Sequence, residues 1–395
     1  MKVTGADPHV LYDEKSGYYY CYATSGDDNN GKYFYVYKSK DLVNWTSLGF
    51  ALDTKINRWG KDWYWAPECY YNPNNDMYYL FYSARLNDEL TEEYFEDKDY
   101  FESAKIGVAV SKSPEGPFIN INDRPMEYYP YDKDYLDVEK IYDNIFEANI
   151  DPLEVQKAPR GQYVSMIDVN LFFEGDKIYM YYSRCCYKNV RYDEKLNKFI
   201  EESNIVACEL ETDWWFDKEA KTMPRVKERF INQNNDGSTH RRDGFVNIIN
   251  YASQPQEWEN GHVSDYELTN GERHNRRWSE GSTTFKMTFN DEEYYVLTYS
   301  CNFFACELYG VGISFSKDPL TLFTKYEKNP IIKENPMNSL YSTGHGCLVE
   351  MNNEYYYFFH GRETKEEDRI LYVGKLHLDD IDNITVSDIK QCKLV

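Results

Sequence analysis

The sequence predicts an all-β protein, a five-bladed β-propeller with long loops between its strands and between its blades. Three observations predict this fold. A pattern of one polar residue, a strand, a tight turn and a tyrosine-rich strand occurs five times along the chain. The strands are rich in aromatic and β-branched residues, whereas the periodicity of amphipathic helices is nearly absent. Repeated four-stranded units that cannot bury their apolar faces alone are typical of a propeller.

The third repeat, at residues 165–184, shows the pattern most clearly. Two apolar runs flank Glu174-Gly175-Asp176, and a turn of this composition between such runs indicates a β-hairpin. Asp168 stands where the first run begins, a position at which strand propensity alone does not favour a carboxylate. Asp168 is therefore a candidate functional residue.

The other four repeats follow the same plan. They begin at residues 6–26, 63–84, 278–300 and 342–362. We expect one domain over residues 1–395, and we expect residues 384–395 to add a closing strand to a blade. The expected blades cover, in order, about residues 5–60, 61–125, 160–215, 275–335 and 340–395.

A large two-sheet sandwich is the structural alternative, but it does not explain why a polar residue heads every repeat. Two long segments, residues 121–160 and 212–277, interrupt the pattern with little periodicity. Loops of this length in a compact domain are usually functional or mobile. Both precede repeats with candidate functional residues, so we expect them to shape the rim of a site, in a way that the sequence does not specify.

The charge of the chain excludes some partners. It has 67 acidic and 44 basic residues and a net charge of −23. Such a surface repels nucleic acid and anionic membranes, and no apolar run is long enough for a transmembrane helix. The nine cysteines lack metal-ligand spacing and are expected to be reduced and buried. The sequence is compatible with a cytoplasmic protein and with a secreted one whose leader has been removed, and it indicates no oligomeric state.

The polar residues that head the repeats are expected to meet at one end of the propeller axis, because the first strand of each blade lines the central channel. These residues are Asp7, residues 65–68, Asp168, Glu280 and His345. Hydrolysis of a glycosidic bond needs one carboxylic acid on the leaving oxygen and one carboxylate opposite it. A third carboxylate beside the acid raises the pKa of that acid. The set therefore favours glycoside hydrolysis.

The five heads also carry recognisable motifs. ADPHV (residues 6–10), WAPE (65–68), MID (166–168), SEGS (279–282) and TGHG (343–346) resemble, in this order, the arabinanase and β-xylosidase family of glycoside hydrolases, family 43. The resemblance implies a five-bladed propeller that hydrolyses with inversion. It implies that Asp7 is the general base, that Glu280 is the general acid, and that Asp168 tunes and orients the acid.

The same resemblance implies further site residues. His345 matches the axial histidine of the family, at the substrate site, which in some members meets a structural calcium ion in the channel directly or through water. No cofactor is expected to be required. Arg362 matches an arginine that contacts sugar hydroxyls, with a surface ion pair to Glu363 as the alternative. Trp65 is placed to stack on a sugar ring, with packing between blades as the alternative.

Residues near these positions complete the candidate set. Phe304, with its neighbour Phe303, follows the fourth tyrosine-rich strand and is expected to wall the pocket. His274, Arg276 and Arg277 precede Glu280 and lie within reach of it along the chain.

We expect an inverting glycosidase that releases α-L-arabinofuranosyl or β-D-xylosyl units from plant polysaccharide or its oligosaccharides. Long rim loops favour a pocket for a terminal sugar over an open cleft. A non-catalytic sugar-binding propeller is the first alternative. A related glycosidase or phosphorylase with another sugar specificity is the second, although a phosphorylase needs a basic phosphate cradle, and the Arg-Asp-Pro motif usual in fructan hydrolases is absent.

Overall fold

The protein is built almost entirely from β-strands. The computed structural model describes residues 1–25, 32–126, 140–142, 149–157, 165–185, 188–230, 244–263 and 274–395. Within these ranges the helices are α1 (Asp88–Phe95), α2 (Asp213–Phe216) and single 3-10 turns at Thr54–Ile56, Glu228–Phe230, Glu257–Glu259 and Pro336–Asn338. None of the helices in the described part of the chain is both long and apolar enough to cross a membrane.

The strands of the same ranges, in chain order, are β1 (Ala6–Asp13), β2 (Tyr18–Thr24), β3 (Phe34–Ser39), β4 (Asn44–Phe50), β5 (Gly60–Asn72), β6 (Met77–Leu86), β7 (Ala104–Ser111), β8 (Ile119–Asn120), β9 (Lys140–Ile141), β10 (Asn149–Ile150), β11 (Gln156–Lys157), β12 (Ser165–Glu174), β13 (Lys177–Cys185), β14 (Val190–Asp193), β15 (Lys198–Leu210), β16 (Val246–Ile249), β17 (Gly261–Val263), β18 (His274–Phe289), β19 (Glu292–Cys301), β20 (Gly310–Ser316), β21 (Thr324–Lys325), β22 (Tyr341–Met351), β23 (Glu354–Arg362), β24 (Ile370–His377), β25 (Thr385–Gln391) and β26 (Lys393–Leu394).

These strands form five antiparallel units that follow one another along the chain. The units are β1–β4, β5–β8, β12-β13-β15-β16, β18–β21 and β22–β25. A short parallel pairing of β15 with β18 joins the third and fourth units into one sheet. The last strand, β26, leaves the fifth unit and pairs with β4 in the first, so the two ends of the chain are held together.

The first strands of the five units contact each other in a ring. β1 contacts β5, β5 contacts β12, β12 contacts β18, β18 contacts β22, and β22 contacts β1. The prediction of an all-β fold is confirmed. That the units are the blades of a closed propeller stays a prediction, and so does the division into one domain.

The long segment 212–277 contains an element that its sequence does not signal. Its described part supplies β16, the fourth strand of the third unit, which therefore lies beyond residues 160–215. Trp214, from α2, is fully buried against Tyr79 and Phe81 of the second unit. Much of this segment and of residues 121–160 lies outside the described residues, so their expected role at the rim stays a prediction.

Several tyrosines join neighbouring units. Their rings fill the apolar space between sheets while the hydroxyl reaches a polar group on the next unit. Tyr78 donates to Oδ1 of Asp13 at 2.6 Å, and Tyr181 donates to the carbonyl of Pro319 at 2.8 Å. Trp45 of the first unit packs edge-on against Phe358 of the fifth, with ring centroids 5.6 Å apart. The core therefore lies between the units.

Each first strand has, near its start, a residue in the left-handed region of backbone space where the register with the second strand shifts; β5 and β22 have a second such residue closer to their start, Trp63 and Ser342. We call the following five residues the bulge ring: Asp7 (φ 49°), Ala66 (φ 48°), Asp168 (φ 55°), Gly281 (φ 60°) and His345 (φ 39°). Four of the five are not glycine, although this conformation is costly for residues with a Cβ atom. Other contacts must stabilise them.

The stabilising contacts come from the neighbouring unit. The backbone N–H of each bulge residue donates to a side chain of the preceding unit, and in four of the five cases that side chain is on the second strand. The bonds are Ala66 to Oγ1 of Thr24 (2.9 Å), Asp168 to Oγ of Ser83 (3.1 Å), His345 to Oγ of Ser300 (2.7 Å), Asp7 to Nδ1 of His360 (3.1 Å), and Gly281 to Oδ2 of Asp168 (3.1 Å).

The third unit provides a matched control for these bonds. Ser183 lies opposite Ile167, the register position that Ser83 occupies opposite Trp65. Its hydroxyl is buried and has no hydrogen-bond partner in the part of the chain that the structure describes, because the Gly281 N–H donates to Asp168 instead.

We expect Ser83→Ala to lower the free energy of unfolding by about 1–3 kcal/mol, because it leaves the buried Asp168 N–H without an acceptor. Ser183→Ala removes a hydroxyl with no such bond and is expected to change the free energy by less than about 0.5 kcal/mol. Urea denaturation of the two variants measures both values. Equal losses would show that the bulge bonds do not stabilise the fold.

Candidate active site

Three residues of the bulge ring bring their side chains together. Nδ1 of His345 lies 3.3 Å from Oδ1 of Asp7 and 3.9 Å from Oδ2 of Asp168. All three side chains are buried. The imidazole thus stands between two carboxylates that are 161 positions apart in the sequence, 7 and 168. The structure brings together Asp7, Asp168 and His345 as the sequence predicts.

Asp7 is held as an ionised carboxylate. Its Oδ2 accepts a hydrogen bond of 2.7 Å from the hydroxyl of Thr24, and Nη1 of Arg369 lies 3.6 Å from its Oδ1. Burial raises the pKa of Asp7, but His345, His360 and Arg369 together lower it by more, so that the net pKa is far below its ordinary value. Asp7 therefore accepts protons and does not supply them at neutral pH.

Asp168 has the opposite character. Burial raises its pKa well above the ordinary value, and the nearby carboxylates of Glu280 and Asp7 raise it further. Its Oδ2 accepts the N–H of Gly281, the residue that follows Glu280. Asp168 therefore fixes the backbone next to Glu280 while it shares the electrostatic environment of Glu280.

Glu280 lies on β18 immediately before the bulge residue Gly281, and its side chain is half-buried. Burial raises the pKa of Glu280 to about 7, although a 2.7 Å hydrogen bond from the hydroxyl of Tyr309 to its Oε1 lowers it. Asp7 also contributes to raising it. Glu280 is therefore protonated in a large fraction of molecules at neutral pH, which suits a proton donor.

His345 is packed too tightly to move freely. A Cβ atom at Gly281 would lie 2.7 Å from its ring, so glycine is needed there for space as well as for its φ of +60°. Burial lowers the pKa of His345, which leaves the ring mostly neutral at pH 7. No group of three or more His, Cys, Asp or Glu side chains in the described ranges is arranged to hold a metal ion. The calcium ion near His345 stays a prediction, and no step below depends on it.

The second unit contributes an aromatic residue in place of a carboxylate. Its bulge residue is Ala66, and Glu68 lies two residues deeper, where Asn170 donates to it at 3.1 Å. Burial raises the pKa of Glu68 to about 8. Trp65 precedes its bulge residue as Glu280 precedes Gly281, and both pair with a serine on the second strand. By this equivalence we place Trp65 on the same ring of positions as Glu280.

Trp65 is supported from behind by a stack of flat groups. Its ring stacks on that of Trp63 with centroids 4.6 Å apart and planes 12° apart. The guanidinium of Arg85 lies 4.4 Å from the Trp63 ring, and it is anchored by Asp62, 2.6 Å from its Nε. Phe101 meets Trp63 edge-on. Trp65 is therefore held rigidly by groups of its own unit, and its expected role as a platform for a sugar ring stays a prediction.

Phe304 and Arg362 lie close together, and their expected roles, to wall the pocket and to contact sugar hydroxyls, stay predictions. The guanidinium of Arg362 is 5.8 Å from the Phe304 ring, and the guanidinium of Arg369 is nearer, at 4.5 Å. Arg362 donates to the backbone carbonyl of Glu367. Of the two arginines, Arg369 is the one with a short distance to Asp7.

The arginines that precede Glu280 interact with the third unit. Nε of Arg276 lies 3.3 Å from Oε1 of Glu201, and Nη2 of Arg277 lies 2.5 Å from Oδ2 of Asp193. These contacts tie β18 to the third unit and its β14 strand. His274 begins β18, and its expected reach to Glu280 stays a prediction.

Sequence reasoning missed Thr24, Tyr309, His360 and Arg369. Thr24 and His360 could have been found from the repeat pattern. Each occupies, on the second strand of its repeat, the position that Ser83 and Ser300 occupy in the second and fourth repeats. Tyr309 and Arg369 lie in connections between strands, where no repeat pattern marks them. Only the packing of the units places them beside the carboxylates.

We expect Gly281→Ala to destabilise the protein more than Gly175→Ala. Both glycines have φ near +60°, but a Cβ atom at Gly175 meets nothing within 4 Å, whereas at Gly281 it meets His345. The backbone cost is about 1 kcal/mol at either site, and the clash adds about 1–3 kcal/mol at Gly281 alone. Urea denaturation gives the difference, and equal losses would mean that His345 can move aside.

Comparisons with known proteins identify relatives of this chain. Residues 1–148 match the family model described as Glycosyl hydrolases family 43. A probable arabinan endo-1,5-alpha-L-arabinosidase C from Aspergillus terreus is 32% identical over 83 residues, which are 20% of this chain. This match spans about a quarter, 24%, of the length of that relative.

Solved structures share the fold along the whole chain. A thermostable family-43 glycoside hydrolase matches with a TM-score of 0.62 and 24% identity over 99% of this chain and 95% of its own. An endo-1,4-beta-xylanase from Bacteroides thetaiotaomicron matches with a TM-score of 0.58 and 23% identity over 100% and 98% of the two chains. An α-L-arabinanase from Cellvibrio cellulosa matches with a TM-score of 0.57 and 14% identity, with both chains covered fully. The resemblance that the five motifs indicate is therefore confirmed, and the chain is a relative of the glycosyl hydrolases of family 43.

Proposed function

We propose that the protein is an inverting glycoside hydrolase that releases α-L-arabinofuranosyl or β-D-xylosyl units from plant polysaccharide or its oligosaccharides. One observation carries the proposal. Asp7 and Glu280 meet around Asp168 and His345, yet their pKa values are displaced in opposite directions. Two carboxyl groups whose environments separate their pKa values are suited to act as base and acid at the same pH.

In this mechanism Asp7 is the general base. Its carboxylate is held by Thr24 and faces Arg369, and it takes a proton from the water that attacks the anomeric carbon. Glu280 is the general acid and delivers its proton to the leaving oxygen on the opposite side of the sugar. Asp168 orients this acid through the Gly281 N–H. Inversion requires the carboxyl groups of Asp7 and Glu280 to stand roughly 6.5–9.5 Å apart, so that water fits between the base and the sugar.

The proposed architecture explains how these groups meet. We take the five units to be the blades of a propeller, with the bulge ring around the axis at one end. Trp65 then stacks on a sugar ring from the second blade, and Phe304 with Arg362 and Arg369 bounds the pocket from the fourth and fifth. The names of the related proteins, an arabinan endo-1,5-alpha-L-arabinosidase, a xylanase and an arabinanase, support pentose polymers as substrates. Action on terminal sugars is the finer proposal, based on the long segments at the rim.

We expect the wild-type protein to release arabinose or xylose from arabinoxylan, arabinan or xylo-oligosaccharides, with the product first appearing in the inverted anomeric form. Chromatography of products and proton NMR of the first turnovers test this. Asp7→Asn and Glu280→Gln are each expected to lower kcat on oligosaccharides by about 10²–10⁴-fold, the usual contribution of a positioned acid or base.

The leaving group distinguishes the two roles. A dinitrophenyl glycoside needs no proton on its leaving oxygen, so it should restore much of the activity of Glu280→Gln but not that of Asp7→Asn. Glu68→Gln is the matched control, because the pKa of about 8 at Glu68 makes the carboxyl mostly neutral at pH 7, as an amide is. Release of no pentose by the wild type would contradict the proposal, as would equal rescue of both variants.

We expect kcat/KM to fall as the pH rises above about 7, where Glu280 loses the proton that it must donate. Asp7 is ionised far below neutral pH, so it should contribute no loss of activity between pH 5 and 7. A pH–rate profile on an oligosaccharide checks the descending limb. The dinitrophenyl substrate should lack this limb, and its presence there would assign it to another group.

A further inference from the structure

The fifth unit breaks the pattern of the bulge ring at one residue. Thr24, Ser83, Ser183 and Ser300 occupy one register position on the second strands, opposite the residue that precedes each bulge residue. In the fifth unit this position, opposite Gly344, is His360. A small hydroxyl residue is therefore replaced by an imidazole, which is completely buried.

The space for this larger ring is shared with Tyr309. The residue before the bulge residue has a side chain in the other units, but it is Gly344 in the fifth, and a Cβ atom there would overlap the Tyr309 ring. Tyr309 stacks on His360 with ring centroids 5.7 Å apart and planes 17° apart. The two rings therefore form one rigid pair at the junction of the fourth and fifth units.

Each ring of this pair contacts one of the two proposed catalytic residues. Nδ1 of His360 accepts the backbone N–H of Asp7 at 3.1 Å and lies 3.4 Å from its Oδ1. The hydroxyl of Tyr309 donates to Oε1 of Glu280 at 2.7 Å. A continuous path, Asp7 to His360 to Tyr309 to Glu280, thus runs from the base to the acid around the edge of the site.

We propose that His360 is a positioning residue that fixes the general base directly and the general acid through Tyr309, so that the two keep the separation that hydrolysis requires. This inference rests on the proposed function for the roles of Asp7 and Glu280. A serine at position 360 would still accept the Asp7 N–H, as the hydroxyls of Thr24, Ser83 and Ser300 accept the equivalent N–H, but it could not support the Tyr309 ring. The imidazole is needed for the second contact.

His360 acts as a neutral group. Three ionisable groups face it in addition to Tyr309: Asp7 on β1, His345 on β22, and Arg369 in the connection just before β24. Burial lowers the pKa of His360 to about 4, and Nδ1 accepts a hydrogen bond, so the single proton of the ring is on Nε2. Its contribution is therefore geometric, and no proton transfer passes through it.

The test uses variants of the whole chain. His360→Ser restores the hydroxyl of the other units, His360→Asn keeps an acceptor near the position of Nδ1, and Tyr309→Phe removes the bond to Glu280. We expect each to lower kcat on oligosaccharides by tenfold or more with KM changed less than twofold. Because the Tyr309 bond lowers the pKa of Glu280, each should also move the descending limb of the pH profile to higher pH.

Two further results separate positioning from a structural role. The His360→Ser, Tyr309→Phe double variant should move the limb no further than either single change, because both act through the same bond. Ser183→Ala, at the matching position of the third unit, should leave the limb in place. The proposal would be overturned if His360→Ser and His360→Asn fold but leave the descending limb of the pH–rate profile at the wild-type pH. It would also be overturned if the double variant moved the limb by the sum of the two single shifts.

The titration of Glu280 keeps the proposal testable without turnover. The carbon-13 shift of the Glu280 carboxyl, followed by NMR against Glu280→Gln, should show a higher pKa in His360→Ser than in wild type. If the wild type releases no sugar but this shift occurs, the proposed function fails and the positioning link stands. If the wild type is active and the Glu280 pKa is unchanged in His360→Ser, the link fails alone.

Discussion

The site depends on one repeated interaction, the hydrogen bond from the N–H of a bulge residue to a side chain of the preceding unit. Without it, Asp7, Asp168 and His345 would occupy left-handed backbone conformations at a cost that nothing offsets. Each bond crosses from one unit to the next, so no unit can form its part of the site alone. The last bond, from Asp7 to His360, joins the first unit to the fifth and acts together with the pairing of β26 with β4.

The chemical difference between the carboxylates follows from where each lies in this ring. Asp7 is at the junction of the first and fifth units, where the guanidinium of Arg369 and the hydroxyl of Thr24 favour its charge. Asp168 and Glu280 are on the third and fourth units, where burial and like charge favour the protonated forms. Three carboxyl groups in one buried place destabilise a fold, and a cluster of this kind is characteristic of functional sites.

The all-β fold and the candidate carboxylates could be predicted because both depend on short, local sequence patterns. Strand-length runs rich in aromatic residues, separated by Gly-Asp or Asn-rich turns, predict the hairpins. The repetition of this pattern predicts that the hairpins are structurally equivalent. The pattern is less exact at the bulge: the heads of the second and fourth repeats suggest Glu68 and Glu280, but the left-handed residues are Ala66 and Gly281. A bulge depends on the register between two strands, and a single strand does not contain that information.

The sequence by itself determined the strand-rich fold and the five repeats, and it singled out Asp7, Asp168, Glu280 and His345 as candidate functional residues, because each is a polar residue at the head of a repeated apolar pattern. Only the tertiary structure decided which groups hold them. Thr24, His360, Tyr309 and Arg369 act across unit boundaries, and contacts between residues distant in the chain arise from how the sheets pack. The tertiary structure also determines the pKa values of these groups, since burial and neighbouring charges exist only once the units have packed together.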